Sequence, residues 1–262
     1  MFTTNHNISI ELANISDVNE IAAEVNRCEI WILNALCVED RLKQLASSPA
    51  GLRRLISTFY FVRYDFCRMN FIVGSRCASE DEGLYQGIVT NLYEEMGGAR
   101  GPSHNELYRQ VLRFVGVNDE KTLKEPEFAR NFNRNWEQFC SGAPKDEALL
   151  GIGIYEILDN PDYRLLLRVA KHGGISGSAL RFFAVHAGAQ HFDLFGSLVQ
   201  RFIGAGGGAT ITSAALFVLK TQARMWSDLL SFLEERAKES GDSGEEQSGH
   251  QEIAAPGYEQ AS

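Results

Sequence analysis

Proline is scarce in this chain, six in 262 residues, and β-branched runs that alternate with polar residues are scarcer still. Both shortages argue against a sheet-based fold and for helices. No apolar run approaches the ~20 residues that a membrane span needs. The longest weakly charged stretch, Arg181 to Arg201, is interrupted by His186, Gln190, His191 and Asp193. The opening MFTTNHNISIEL has neither the basic start nor the apolar core of a secretory signal. Five cysteines form no C-x-x-C pair, which speaks against a thiolate zinc site and for free thiols in a reducing cytoplasm. An excess of positive charge is also missing. The net charge is −9 and the sequence pI is about 5.2, so the basic patch of a nucleic-acid surface is not expected.

What is there is ordinary globular composition, 44% hydrophobic and 23% charged. Helical periodicity predicts helices at roughly 16–46, 50–77, 82–97, 103–115, 126–141, 145–158, 161–172, 177–203 and 209–238, with ends good to about 2–4 residues. Ser79 and Glu82 make a capping box, Gly97-Gly98 closes that helix, and Ser103 caps the next. Asn160-Pro161 reads as a break between two helices. The expectation is an all-α domain over residues 1–239, a bundle of about seven core helices, followed by a disordered polar tail at 240–262.

Several polar side chains stand where the helix pattern is apolar. Glu95 continues the stripe Leu84, Ile88, Asn91 and Leu92, while Glu94 points about 100° away. His104 sits above Leu107, Tyr108 and Val111 on the following helix. Glu156 lies in LLGIGIYEIL, a run with no other charge. His186, Gln190 and Asp193 share one face of RFFAVHAGAQHFDLF, a segment apolar nearly all round. Buried carboxylates and imidazoles cost several kcal/mol unless something pairs with them. A cation compensates them, and carboxylate plus imidazole without thiolate suits iron or manganese. The Glu-x-x-His pair of ferritin-like bundles is absent.

The segment NLYEEMGGARGPSHNELYRQVL, the apolar helix carrying Glu156, and RFFAVHAGAQHFDLF together resemble the haem-oxygenase-like di-iron oxidases, over roughly residues 50 to 235. The resemblance implies a haem-oxygenase-like bundle binding one or two Fe(II) ions, with O₂ as co-substrate and a small molecule as substrate. Glu95, His104, Glu156 and His186 match the family's ligands in order and spacing. Gln190 stands where the family has Asp, and Asp193 where it has a final His. His191 lies about 140° around the helix from His186 and is a poor substitute. The activity implied is oxidation of an amino-acid-derived compound by N-oxygenation, desaturation or oxidative C–C cleavage and decarboxylation, in small-molecule biosynthesis. Fatty-acid decarboxylation in the same family, a metal-free thiaminase-like or cofactor-synthesis enzyme of the same fold, and a non-catalytic helical binding protein are the alternatives. A homodimer is one assembly the reading allows.

Each residue also has a plainer reading. Glu95 can pair with Arg100 or Arg109, and Asp193 with Arg181. Arg181 and Tyr64 are candidates for substrate contact, against solvated charge and core packing. Trp31, Trp136 and Trp226 read as core. Gly204 to Ala209 fits a dinucleotide fingerprint on paper, but a helix rather than a strand precedes it, so a turn is expected.

Overall fold

Asp17 opens the first helix by accepting backbone N–H bonds from Asn19 (2.7 Å) and Glu20 (3.4 Å), which satisfies two donors a helix start leaves exposed. A computed structural model describes residues 8, 10, 12, 17–63, 66–77, 82–98, 101–188, 196, 199–203 and 207–242. Among these there is no strand; the chain forms a helical stretch at 199–203 and ten further α-helices with described bounds. They are α1 (Val18–Ala35), α2 (Val38–Ala46), α3 (Pro49–Arg63), α4 (Phe66–Ser75), α5 (Glu82–Glu95), α6 (His104–Phe114), α7 (Glu127–Gly142), α8 (Lys145–His172), α9 (Arg181–Gly188) and α10 (Gly208–Asp242). The expected all-α class holds. No described helix is long and apolar enough to cross a membrane. The expected capping Ser79 and the tail beyond residue 242 lie outside the described residues.

Two predicted boundaries are corrected. The stretch 16–46 is divided at Cys37, whose φ of 50° is left-handed. A non-glycine residue there reverses the chain at some cost, and it allows α2 to pack on both α3 and α8. Conversely, Asn160-Pro161 does not end a helix, because α8 runs unbroken through Pro161. Proline inside a helix costs about 3 kcal/mol. Burial on both sides offsets it: Ile154, Ile157, Leu158, Leu165, Leu166 and Val169 are all core, at roughly 1.5–3 kcal/mol each. Helix α8 is the central element, packed against α1, α2, α9 and α10. Trp136 and Trp226 are core as expected, whereas Trp31 is 48% exposed.

The turn from α5 to α6 sets the site. Gly97 and Gly98 have φ of +97° and +58°, and Gly98 N–H donates back to Tyr93 C=O (2.9 Å), a left-handed helix stop. A Cβ on Gly97 would lie 2.3 Å from the Gly101 carbonyl oxygen. Ser103 then caps α6 by accepting from Glu106 N–H (3.1 Å). The reversal faces the end of α5 toward the start of α6.

Candidate metal centre

Three of the expected ligands meet. Glu95 ends α5, His104 begins α6 and His186 lies on α9, and one donor atom from each lies within 4.8 Å of the other two. His104 Nδ1 is 2.9 Å from Glu95 Oε2, and the His104 and His186 rings are 4.5 Å apart. The first distance is an ion-pair contact without hydrogen-bond geometry. A shared ion would account for it, since donors bonded at about 2.1 Å to one metal stand about 3 Å apart.

The surroundings prepare His186 as a ligand. Its Nδ1 lies 2.8 Å from the Phe182 carbonyl. A carbonyl only accepts, so Nδ1 carries the proton and Nε2 is left as the donor atom. Burial, reinforced by the neighbouring His104, pushes its pKa down to about 3, which keeps the imidazole neutral. Tyr163 stacks on one face of the ring, with centroids 4.3 Å apart, and Phe182 lies 4.5 Å away.

A small cavity of about 30 Å³ opens beside the trio, walled by Tyr60, Phe66, Tyr108, Tyr163 and Phe182. Arg63, from the last turn of α3, also lines it. Its Nε donates to Tyr163 Oη (2.8 Å) and its Nη1 to Tyr155 Oη. The guanidinium lies over both rings, 4.9 Å from the Tyr163 centroid and 4.7 Å from that of Tyr155. Cys67 reaches the same cavity; burial, then the Glu95 charge, raises its thiol to about 11, so it stays protonated. A larger cavity of about 550 Å³ between α1, α2 and α8 is lined by none of the candidate ligands.

The remaining expected residues fall differently. Glu156 is buried on α8 but is not gathered with the trio; the Asn91 side-chain amide donates to its carboxylate. Arg181 is exposed at the start of α9 and does not line the cavity. Tyr64, Gln190 and Asp193 lie outside the described residues. Sequence reasoning passed over Arg63, whose place in an aromatic run was the available signal, and noted Asn91 only as a member of a stripe. It also missed a second polar cluster. Glu29 of α1, fully buried, lies beside Asp162 of α8 and Trp226 of α10. Gln222 Nε2 donates to Asp162. Burial first, then the Asp162 charge, holds the Glu29 carboxyl well above the usual carboxylate range.

Comparison with known proteins agrees with this picture. Residues 53–191, just over half of the chain, match the model of a family described as iron-containing redox enzymes. No curated protein matches the chain. Among solved structures it is similar to a CADD-like protein of unknown function from Nostoc punctiforme PCC 73102. The TM-score is 0.70 at 15% identity, over 84% of this chain and 96% of that one. A second structure with the same description gives 0.66 at 15% identity, over 82% and 98%. A domain of unknown function with a haem-oxygenase-like fold from Shewanella denitrificans OS217 gives 0.62 at 14% identity, over 88% and 98%. At such identities the likeness establishes the fold, which is haem-oxygenase-like.

Proposed function

The chain belongs to the iron-containing redox enzymes, and we propose that it is an O₂-dependent non-haem oxidase or oxygenase whose iron is held by Glu95, His104 and His186. The observation that carries this reading is the meeting of two imidazoles and one carboxylate from three helices beside a cavity. Two histidines and one carboxylate with open positions is the donor set of non-haem iron(II) oxygenases, and it lacks the thiolates of structural zinc. Bound there, iron(II) supplies the activation of O₂.

The protein's own groups do the rest. The Phe182 carbonyl fixes the His186 tautomer, as outer partners of metal ligands do. Tyr60, Phe66, Tyr108 and Tyr163 give the cavity an aromatic wall. Arg63 presents a fixed positive charge beside the trio, suited to orienting the carboxylate of a small amino-acid-derived substrate. N-oxygenation, desaturation and oxidative C–C cleavage all suit such a placement, and the setting is cytoplasmic small-molecule biosynthesis. A fatty acid offers Arg63 the same carboxylate, so the substrate screen includes both classes.

The test is iron content after anaerobic Fe(II) loading, measured on the parent, Glu95→Ala and His186→Ala. The parent is expected to retain iron through desalting and each variant to lose at least tenfold in affinity. An iron-free parent sinks the reading, and variants that bind as the parent does move the site elsewhere. O₂ consumption by the loaded parent, screened over amino acids and fatty acids, then identifies the substrate.

A further inference from the structure

We infer that α1, α8 and α10 enclose a separate cation site, in which Glu29, Asp162 and the side-chain carbonyl of Gln222 hold a hard divalent ion such as Ca²⁺. The site stands apart from the Glu95 trio, so neither reading falls with the other.

The three helices pack on one another, and each brings a polar side chain into the core. Glu29 on α1, Asp162 on α8 and Gln222 on α10 are 0, 2 and 1% exposed. The groups acting on Glu29 are Asp162, Trp226 and Cys28, and none of these is a cation. Two carboxyl groups thus meet inside the bundle, where charge without a counter-charge is unfavourable.

Oxygens outnumber donors in this cluster. The donors beside the carboxyl groups are the Trp226 indole and the Gln222 amide. Gln222 Nε2 donates to Asp162 Oδ2. That bond orients the amide and brings Gln222 Oε1, on the same carbon, into the cluster. Oε1 meets no donor, and neither Glu29 oxygen is met by one in hydrogen-bond geometry. A proton shared between Glu29 and Asp162 serves a single Glu29 oxygen. It leaves the other, and Gln222 Oε1, unanswered. A divalent ion neutralises both carboxylates and draws on all of these oxygens together. Carboxylates and amide carbonyls are the ligands of Ca²⁺, whereas Mg²⁺ gives up its waters reluctantly, which a site so deeply buried disfavours.

Asn26 provides the way in. It lies one turn before Glu29 on α1 and lines the cavity of about 550 Å³ between α1, α2 and α8. Its Oδ1 is also buried without a donor. The cavity carries both signs of charge, Glu39 and Asp40 with Arg164 and Arg168, so it supplies a route and not the affinity. In the ion-free chain, burial and the Asp162 charge keep Glu29 protonated. An arriving cation expels that proton.

The test is calorimetric titration of the EDTA-treated full chain with CaCl₂ near neutral pH, in two buffers of different ionisation enthalpy. Saturable binding is expected below about 1 mM, the weak end of natural Ca²⁺ sites, with about one proton released per ion. His186→Ala is expected to bind as the parent does, and Glu29→Gln to lose at least about tenfold in affinity. A parent that binds nothing by about 1 mM overturns the inference, and so does binding without proton release. Loss of binding in His186→Ala overturns it too, by assigning the ion to the Glu95 trio. Undiminished binding in folded Glu29→Gln does the same, by removing Glu29 from the ligands. Where Glu29→Gln does not fold, Asp162→Asn takes its place, and the parent and His186→Ala decide even without it.

Discussion

At the scale of single residues, the most consequential side chain outside the metal trio is Glu29. It is fully buried beside Asp162, and its carboxyl holds a proton far above the usual range. The native state therefore binds that proton more tightly than the unfolded chain. Its contribution is fully present below the unfolded value of about 4.3 and is lost as pH rises toward the raised native value, so stability falls with pH across that window. Glu29→Gln removes the titration and keeps a donor for Asp162. It is expected to raise unfolding free energy at pH 8 by on the order of 1–2 kcal/mol, with little gain at pH 4. Urea unfolding at both values decides; an equal gain at the two would discard the explanation.

The residues that were legible in the sequence share one property. Glu95, His104 and His186 interrupt stripes that are otherwise apolar, so burial makes them conspicuous. The same argument reaches Glu29, which stands at i+4 from Val25 and i−3 from Ile32. It was hidden by the many charges of α1. Arg63 was passed over for another reason: despite its aromatic neighbours, a cation in the last turn of a helix is the ordinary complement of its dipole. Only the packing of α3 against the rest of the bundle shows that it faces a cavity. Trp31 fails in the opposite sense, since bulk and apolarity alone do not say which face of an amphipathic helix it takes.

At the scale of elements, the α5–α6 turn and the proline of α8 carry the clearest consequences. Gly97→Ala places a methyl group against the Gly101 carbonyl at a positive φ. It is expected to cost at least about 1–2 kcal/mol. Because this turn positions both Glu95 and His104, iron affinity is expected to fall with it. A variant as stable as the parent in urea, with unchanged iron retention, would show that the turn does not set the site. Pro161→Ala should act in reverse. It restores the N–H that Pro161 lacks, facing the carbonyl of Ile157 one turn earlier. A stabilisation of up to about 3 kcal/mol is expected, visible as a higher urea midpoint; an unchanged midpoint refutes it. The fused helix was unreadable in advance because proline is a strong local signal, and tertiary burial along α8 outweighs it.

For the whole molecule, the fold class followed from periodicity, but the site needed three dimensions. The proposed iron site draws on α5, α6 and α9 together, so only the native state assembles it. Ligand binding of that kind adds about 2.7 kcal/mol at a hundredfold excess over Kd. For a chain of this size that corresponds to a rise in Tm of about 5–10 °C. Anaerobic thermal unfolding with and without Fe(II) is the measurement, with His186→Ala expected to show no rise. An equal rise in that variant would place the stabilising metal somewhere else.

The close spacing of Glu95 and His104 also bears on how the chain reaches its native state. These two ligands are nine residues apart across one turn, whereas His186 follows His104 by 82 residues. Closing the longer loop costs about 2 kcal/mol more in chain entropy. The α5–α6 turn alone therefore brings Glu95 and His104 together as a half-site, and His186 joins it through the packing of α9 on α8 and α6. An ion held by that half-site would work as a clasp, lowering the entropy that remains when α9 docks. Amide hydrogen exchange would register this as slower exchange in α9 when iron is bound, and a smaller change in α5 and α6.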